Sequence, residues 1–478
     1  MEETQQSLPP FSVYKTFYLV GIKGVAMTSL AQILVDLDKT VLGCDVSEAF
    51  VTQAILNDLS ITCDEGFTHN IPETVDCVIY TAAHQGAQNP IVKEATKKGL
   101  PTYSQAEALG HVFNAKKGIA VCGVGGKSTT SAMLTWILSE LSLKPSYSVG
   151  VGSIVGLPRT GVWNTQSDFF VAEADEYVTN PQEVQNGAQP EPRFSYLQPY
   201  CTVCTNLAYD HPDVYSDFSV TKKAFMAFFS QIKAGGILIL NHKDLPELEL
   251  PTDTEVKTFG SAGDCDYLYV YEESESNEGI TKATLIIDQK RYQLTLKVPG
   301  RYNVENAVAA IAACDSVGID IQDALKALET FASTQRRFEF KGEKNEILFY
   351  DDYAHHPSEL SAVIRAAKSW YKNKQLYIAF QPHTYSRTKS LLDDFATVLS
   401  STTHLILLDI FASARESLDE TVSSSILAEE ISNQGYTENI PVLPNYSALA
   451  EYISDQIPKG SVCITLGAGD IYKVHELL

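Results

Sequence analysis

Val121-Cys122-Gly123-Val124-Gly125-Gly126-Lys127-Ser128-Thr129-Thr130 is the stretch on which the fold turns. The apolar run Gly118–Cys122 in front of it reads as a buried strand, and Ser131–Leu141 behind it has helical apolar spacing. Between them, glycines let backbone N–H groups approach phosphate oxygens, and the following helix N-terminus adds positive dipole. Gly123, Val124, Gly125, Gly126 and Thr129 would form that cradle, Lys127 would reach the terminal phosphates, and the Ser128 hydroxyl would bind magnesium. Val121 stands where the full eight-position pattern has Gly, so only the shorter G-x-x-G-K-[ST] form is present. A Gly-rich turn with an exposed Lys is the bland alternative. The strand before, the helix after and the Ser-Thr-Thr run favour nucleotide binding.

Outward from this loop, short apolar strands alternate with helical stretches, which argues for α/β sheets. Downstream, Glu173-Ala174-Asp175-Glu176 ends the strand Phe169–Ala172, and Asp210-His211 follows the strand Cys201–Asn206. Glu173 is placed to ligate magnesium, with His211 as a second ligand. Each alone reads as a solvated side chain; their order in one domain strengthens the joint reading. Magnesium favours oxygen, so one His is admissible if carboxylates and phosphates supply the rest. The expected boundaries are residues 1–114 for a Rossmann-like first domain, 115–333 for a central P-loop ATPase-type mixed α/β domain, and 334–478 for a Rossmann-like C-terminal domain. In the first, the strand Phe17–Gly21 enters a turn, Gly21-Ile22-Lys23-Gly24, before a helix over Met27–Leu37; strands follow at Thr40–Cys44 and Asp76–Thr81. With Asp45 further on, this imitates a dinucleotide fingerprint and raises a nicotinamide-dependent dehydrogenase as rival. The G-x-G spacing is absent, however, and that reading leaves the phosphate loop unexplained.

In the third domain, Asp351-Asp352-Tyr353-Ala354-His355-His356-Pro357 follows a strand and leads into a helix. Adjacent His residues on one short turn rarely face one ion, so a hydrogen-bonding wall around a ligand is the better reading. Arg387, after Phe380-Gln381-Pro382-His383, is a fork for a carboxylate or phosphate, or else a surface Arg. Two polar stretches complete the pass: Glu272–Gly279 reads as a solvated hairpin tip, and Val178–Arg193 as an added loop.

Composition narrows the function further. The 478 residues include 36 Lys+Arg against 59 Asp+Glu, a formal charge of −23 that repels phosphate backbones and anionic membranes. Nucleic-acid binding and membrane insertion are therefore not expected. The polar, acidic start MEETQQSLPP is unlike a signal peptide, and the apolar runs have strand length. Nine scattered Cys read as reduced thiols of a cytoplasmic protein, with Cys201 and Cys204 as core thiols rather than zinc ligands.

Taken together, these motifs resemble the muramyl ligase family over nearly the whole chain. Gly21–Thr28 keeps the frame of its N-terminal signature, with Lys23 and Ala26 in place of two glycines. Gly123–Ser128 matches its G-T-x-G-K-[ST] loop with Val124 for Thr, and E-A-D-E is intact at Glu173–Glu176. T-N-x-x-x-D-H falls at Thr205–His211, G-R-x-N-x-x-N-A at Gly300–Ala307, R-R-F at Arg336–Phe338 and G-A-G-D-I at Gly467–Ile471. D-D-Y-x-H-H-P at Asp351–Pro357 and F-Q-P-H at Phe380–His383 point within the family to alanine addition. Thr384 stands where many relatives have a second Arg, and Ala208 where an acidic residue is common.

The resemblance implies an ATP-dependent, ADP-forming ligase of peptidoglycan precursor synthesis. It would join L-alanine to the lactyl carboxylate of UDP-N-acetylmuramate through an acyl phosphate. It implies ATP and Mg2+, with one magnesium on Ser128 and Glu173, a second on His211 holding the acyl carboxylate against the phosphate, and Lys127 neutralising the transferring phosphoryl group. Asn306 resembles the adenine contact, Asp352 the ribose contact, and Arg337 a further nucleotide contact. His355, His383, Tyr353 and Arg387 would hold the amino-acid end. Gly21, Lys23, Gly24, Asp45 and Asn206 would contact the sugar nucleotide. Ligands shared among three domains imply closure. Within the family, reattachment of a recycled peptide is the alternative; a non-catalytic ATP-binding regulator is the other. The expected state is a monomer or homodimer.

Overall fold

The computed structural model describes residues 11–48, 50–250, 254–412 and 418–478. It divides into two compact units: one built from residues up to Val270 with Leu285–Gln293 and Glu305–Glu329, the other from Tyr271–Thr284, Leu294–Val304 and Thr330–Leu478.

The first unit contains two sheets. β1 (Thr16–Val20), β2 (Thr40–Asp45), β3 (Cys63–Glu65), β4 (Cys77–Tyr80) and β5 (Thr102–Ser104) form a parallel sheet ordered β3-β2-β1-β4-β5. The helix Val25–Asp36 leaves the Gly21–Gly24 turn and buries Leu30, Ile33 and Leu34. Its other face is tied to the next sheet: Ser29 Oγ lies 2.9 Å from Ser148 Oγ, Gln32 donates to Thr160 at 3.1 Å, and Asp36 pairs with Arg159 at 2.5 Å. A continuous core running from Leu19 and Leu30 through Ala120, Phe170 and Phe225 backs both sheets.

The second sheet uses β6 (Lys117–Cys122), β7 (Ser146–Ser148), β8 (Gly161–Val162), β9 (Phe169–Glu173), β10 (Cys201–Cys204), β11 (Ile237–Asn241), β12 (Glu255–Gly260) and β13 (Tyr267–Tyr271), in the order β13-β12-β11-β10-β6-β9-β7-β8. β6 lies between β10 and β9, parallel to both, with Val121 opposite Glu173 and Cys122 opposite Cys204. The chain order reverses there, so the segments leaving β6, β9 and β10 emerge side by side at one edge. Cys201 and Cys204 are fully buried free thiols in β10, as a core strand requires. The helix after the loop starts at Lys127, four residues earlier than its apolar spacing suggested. Gly126 at φ +84° caps it, so Lys127, Ser128 and Thr129 belong to its first turn.

Val178–Arg193 is a strap closed on itself: Val178 pairs with Pro192, Thr179 donates to the Glu191 carbonyl, and Pro181–Gln185 makes one short helix. Two strands, β14 (Thr281–Ile287) and β15 (Lys290–Leu296), lead towards the last part of the chain. There β16 (Glu339–Lys344), β17 (Ile347–Asp352), β18 (Leu376–Phe380), β19 (His404–Leu408), β20 (Val442–Leu443) and β21 (Val462–Leu466) form a sheet ordered β16-β17-β21-β18-β19-β20. Only its β16 edge is antiparallel. Leu360, Phe380, Phe395 and Leu466 are among its core.

Candidate functional site

The phosphate loop is shaped by its neighbours. Thr205 Oγ1 donates to the Gly125 carbonyl at 2.6 Å, while Asn206 accepts from Gly125 N–H at 3.0 Å and donates to its carbonyl at 2.7 Å. A side chain at Gly123 (φ +121°) would strike Thr205 and Asn206, and one at Gly126 would strike the buried Asn306 amide. Both glycines are therefore dictated by close approach as well as by φ. Asn206 braces the loop, and Asn306 lies directly against it.

The carboxylates come from the end of β9. Ser128 Oγ donates to Glu173 Oε1 at 3.0 Å, and Glu173 Oε2 accepts from Gly150 N–H at 2.9 Å. Glu176, only 1% exposed, accepts a hydrogen bond from the Lys127 ammonium on Oε1 at 2.9 Å, with Oε2 2.8 Å from the same nitrogen. Burial works against the Lys127 charge, but Glu176, Asp175 and Glu173 outweigh it and hold its pKa above the usual lysine range. Burial pushes Glu173 up despite Lys127. Arg193, 2.7 Å from Asp175, keeps that carboxyl low against its own burial. His211 sits in the left-handed region at φ +57°, its Nε2 3.4 Å from Glu176 and 3.8 Å from Asp210. Burial would neutralise it, but the hydrogen bond to Glu176 and the nearby carboxylates raise its pKa. A non-Gly residue there marks a strained position of the kind found at functional sites.

Two groupings thus lie where two magnesium ions were expected, one at Ser128 and Glu173 and one at His211. Ser128 and Glu173 meet directly. His211 is joined instead by Glu176 and Asp210, ligand atoms all within 4.8 Å, and sequence reasoning assigned neither carboxylate to the metal. Oxygen donors with one imidazole suit a hard divalent ion whose remaining positions are filled by phosphate oxygens.

In the first domain, the buried Lys23 places its ammonium on the Val46 and Glu48 carbonyls at 2.7 and 2.9 Å, and its N–H donates to Asp45 at 2.7 Å. His84 faces the same carboxylate at 3.4 Å; burial opposes its charge, but that contact and the backbone donors keep the Asp45 pKa low. Lys23 and Asp45 therefore shape the turn that ends at Gly24. A cavity of about 150 Å3 opens from the helix start at Val25 and Ala26 to Ser148, Gly150, Glu173 and Arg193.

In the third domain, Asp352 accepts from Phe338 and Ala354 N–H groups at 2.7 and 2.8 Å, and burial raises its pKa to about 6 against the pull of Arg337. The Arg337 guanidinium lies over the Tyr353 ring at 5.7 Å. His356 caps the helix Pro357–Trp370 in a reciprocal box with Glu359, which leaves the His355 ring outside the cap. His355 Nδ1 lies 3.0 Å from the Tyr353 carbonyl, which can only accept, so Nδ1 carries the proton and Nε2 is an acceptor. Burial lowers its pKa. Arg387 Nη1 is 3.2 Å from His383 Nδ1, and the His355 and His383 rings stand edge to face at 6.3 Å. Thr384, at φ +68°, caps the helix Tyr385–Ser390 by accepting from Arg387 N–H.

Family models match this chain in three stretches: "Mur ligase family, catalytic domain" over residues 16–117, "Mur ligase middle domain" over 121–314, and "Mur ligase, glutamate ligase domain" over 336–469. The chain belongs to the Mur ligase family, with its three-domain α/β fold. UDP-N-acetylmuramate–L-alanine ligase of Acetivibrio thermocellus is 35% identical over 471 residues, 97% of this chain and 95% of that one. Its counterpart in Desulfitobacterium hafniense is 33% identical over 464 residues, covering 96% and 98%. The solved UDP-N-acetylmuramate-alanine ligase of Thermotoga maritima superposes with a TM-score of 0.81 at 25% identity, covering 97% of this chain and 98% of that chain. A UDP-N-acetylmuramate:L-alanyl-gamma-D-glutamyl-meso-diaminopimelate ligase from Neisseria meningitides gives 0.59 at 28% identity and covers 67% of this chain and 99% of its own. Membership of this family sets the dehydrogenase reading aside.

Proposed function

We propose that this chain joins L-alanine to the lactyl carboxylate of UDP-N-acetylmuramate at the expense of ATP, in peptidoglycan precursor synthesis. The carrying observation is the convergence of Gly123–Ser128, Glu173–Glu176 and Asp210–His211 at adjacent parallel strand ends. The choice of alanine follows the names of the relatives that match nearly the whole chain. The domain boundaries at 114/115 and 333/334 are kept with this reading.

The lactyl carboxylate oxygen takes the γ-phosphoryl group, and ADP leaves. The alanine amine then attacks the acyl carbon, the C–O bond to phosphate breaks, and inorganic phosphate departs. Lys127 and the first-turn N–H groups neutralise charge on the transferring phosphoryl group, aligned by the bracing of Asn206 and Thr205. Asn306 contacts the adenine, while Asp352 and Arg337 contact the rest of the nucleoside. The Gly21–Gly24 turn receives the sugar nucleotide, whose lactyl end follows the cavity towards Glu173. Mg2+, held by Ser128 and Glu173 and by His211 with Glu176 and Asp210, supplies charge neutralisation for the phosphates when bound. Arg387, with His383 and Tyr353, holds the alanine carboxylate, and the neutral His355 presents Nε2 to accept the amine proton. Among the described residues no helix is long and apolar enough to cross a membrane, and the free thiols suit a cytoplasmic enzyme.

The test is phosphate release from ATP with UDP-N-acetylmuramate and a panel of amino acids and peptides. Release that depends on L-alanine is expected. Release with a recycled peptide instead of alanine would transfer the chain to the peptide-reattaching reading, and no substrate-dependent release would end the ligase assignment.

A further inference from the structure

The loop Gly467–Asp470, after β21, is gripped from two sides within the third domain. Arg336 donates to the Gly467 carbonyl and, at 3.2 Å, to the Gly469 carbonyl, while its Nε meets Asp351 at 2.8 Å. Gln381 donates to Asp470 at 3.0 Å and accepts from Ile471 N–H at 3.0 Å. Held there, Gly469 leaves no room beside Gln381 and Phe411: a Cβ at this position would lie 2.4 Å from Gln381 Oε1, 2.7 Å from Phe411 Cγ and 2.8 Å from its Cβ. Phe411 in turn lies nearly parallel to the His383 imidazole, with planes 12° apart and centroids 5.7 Å apart. The two backbones are also joined, because Phe411 N–H donates to Pro382 at 2.8 Å and Thr384 N–H donates to the Phe411 carbonyl at 3.0 Å. His383 Nδ1 then receives Arg387 Nη1 at 3.2 Å. A guanidinium can only donate, so Nδ1 must accept, and the plane of the imidazole fixes where the guanidinium can sit.

We propose that Phe411 is a positioning residue for the amino-acid substrate: backed by Gly469, its ring sets the plane of His383 and so the place of the Arg387 guanidinium that receives the substrate carboxylate. This rests on the assignment of His383 and Arg387 to the amino-acid end. Its consequence is selective. Loosening Phe411 weakens capture of the amino acid and leaves the nucleotide contacts of the first unit alone.

The experiment compares Phe411→Leu, Phe411→Tyr and Gly469→Ala with Arg387→Lys, measuring kcat and the KM for each substrate alongside the melting temperature. Phe411→Leu is expected to raise the alanine KM about tenfold with the ATP KM within about twofold, a loss of binding rather than of turnover. Phe411→Tyr, which keeps the ring, restores the alanine KM. Gly469 lies outside the left-handed region, and the methyl added by Gly469→Ala would meet Gln381 Oε1 at 2.4 Å as well as Phe411, so this variant displaces both side chains and should act in the same direction. If Arg387→Lys raises the alanine KM but Phe411→Leu and Gly469→Ala do not, Phe411 has no positioning role. A parallel rise in every KM, or failure of Phe411→Tyr to restore capture, would mean general damage and equally overturn the proposal. If Arg387→Lys itself leaves the alanine KM unchanged, the assignment of Arg387 falls and this inference with it.

Discussion

Replacing Lys127 with Met keeps most of the side chain's volume and removes one charge from the most densely ionised place in the first unit. Glu176 is 1% exposed, and both its oxygens lie within 2.9 Å of the Lys127 ammonium. Breaking a buried pair from one side leaves the other charge uncompensated, at a cost of about 3–5 kcal/mol. At ~2–4 °C per kcal/mol, that lowers the melting temperature by about 10 °C. The penalty should depend on pH. Burial raises the Glu173 pKa and Lys127 opposes it, so without Lys127 the carboxyl is raised further. An acid raised on folding stabilises at low pH and loses that contribution as pH rises through its folded pKa, so the deficit is larger at pH 8 than at pH 5. Lys127→Met should also lower phosphate release by about 10²–10³-fold, the usual scale for one preorganised charge-stabilising donor. The double variant Lys127→Met/Glu176→Gln separates the two effects: neutralising the stranded carboxylate should recover more than half of the melting temperature and none of the activity. Thermal melts at both pH values and phosphate-release rates decide the matter. Equal melting of single and double variants would refute the pairing, and near-wild-type turnover in either would refute the role of Lys127.

His211→Ala should shift the dependence of rate on magnesium to higher concentration; an unchanged curve at unchanged rate would remove His211 from the metal-binding group. Asp352, raised to about 6 by burial, binds more protons folded than unfolded between its ordinary value and that pKa, so its contribution to stability is lost as pH rises through about 6. Asp352→Asn should cancel that slope in melts from pH 4.5 to 7.5, and a stability difference from wild type that is flat across the range would contradict it. Arg387→Lys keeps charge but loses the bidentate fork, and should raise the alanine KM about tenfold with little change for ATP. A rise for UDP-N-acetylmuramate instead would move Arg387 to the sugar-nucleotide end.

Legibility in the sequence followed the range of each interaction. The Gly-rich loop and its flanking strand and helix are local patterns, and residue identity alone brings them out. β16 was missed because Glu339-Phe340-Lys341-Gly342-Glu343-Lys344 is an edge strand with little to bury. Glu176 was passed over for Glu173 because the two carboxylates, at and just past the end of β9, differ only in which neighbour they face. That depends on β6 lying alongside with Val121 opposite Glu173, a register no local pattern carries. The family resemblance assigns Asn206 and Lys23 to the substrate, but no local pattern shows that Asn206 also braces Gly125 or that the Lys23 ammonium rests on the Val46 and Glu48 carbonyls. Thr384 was visible as a missing Arg, but not as a β-branched residue held at φ +68°, a conformation imposed by its bonds to Phe411 and Arg387.

The charge of −23 poses a last question: how such a chain holds anionic substrates. Three of its cations are matched one to one, Lys127 to Glu176, Arg193 to Asp175 and Arg336 to Asp351. Matching offsets the burial of each charge and fixes its direction, but it also makes a phosphate compete with a carboxylate for Lys127. That competition is softened because Glu176 also faces His211, whose Nε2 lies 3.4 Å away. Arg387 is arranged differently. Its side-chain partner is an imidazole nitrogen, and among the described residues no carboxylate lies within ion-pair distance of it. The phosphate end thus relies on a cation already paired and aimed by a carboxylate, whereas the guanidinium assigned to the amino-acid end is aimed by the His383 imidazole, so the geometry of that ring sets where Arg387 sits.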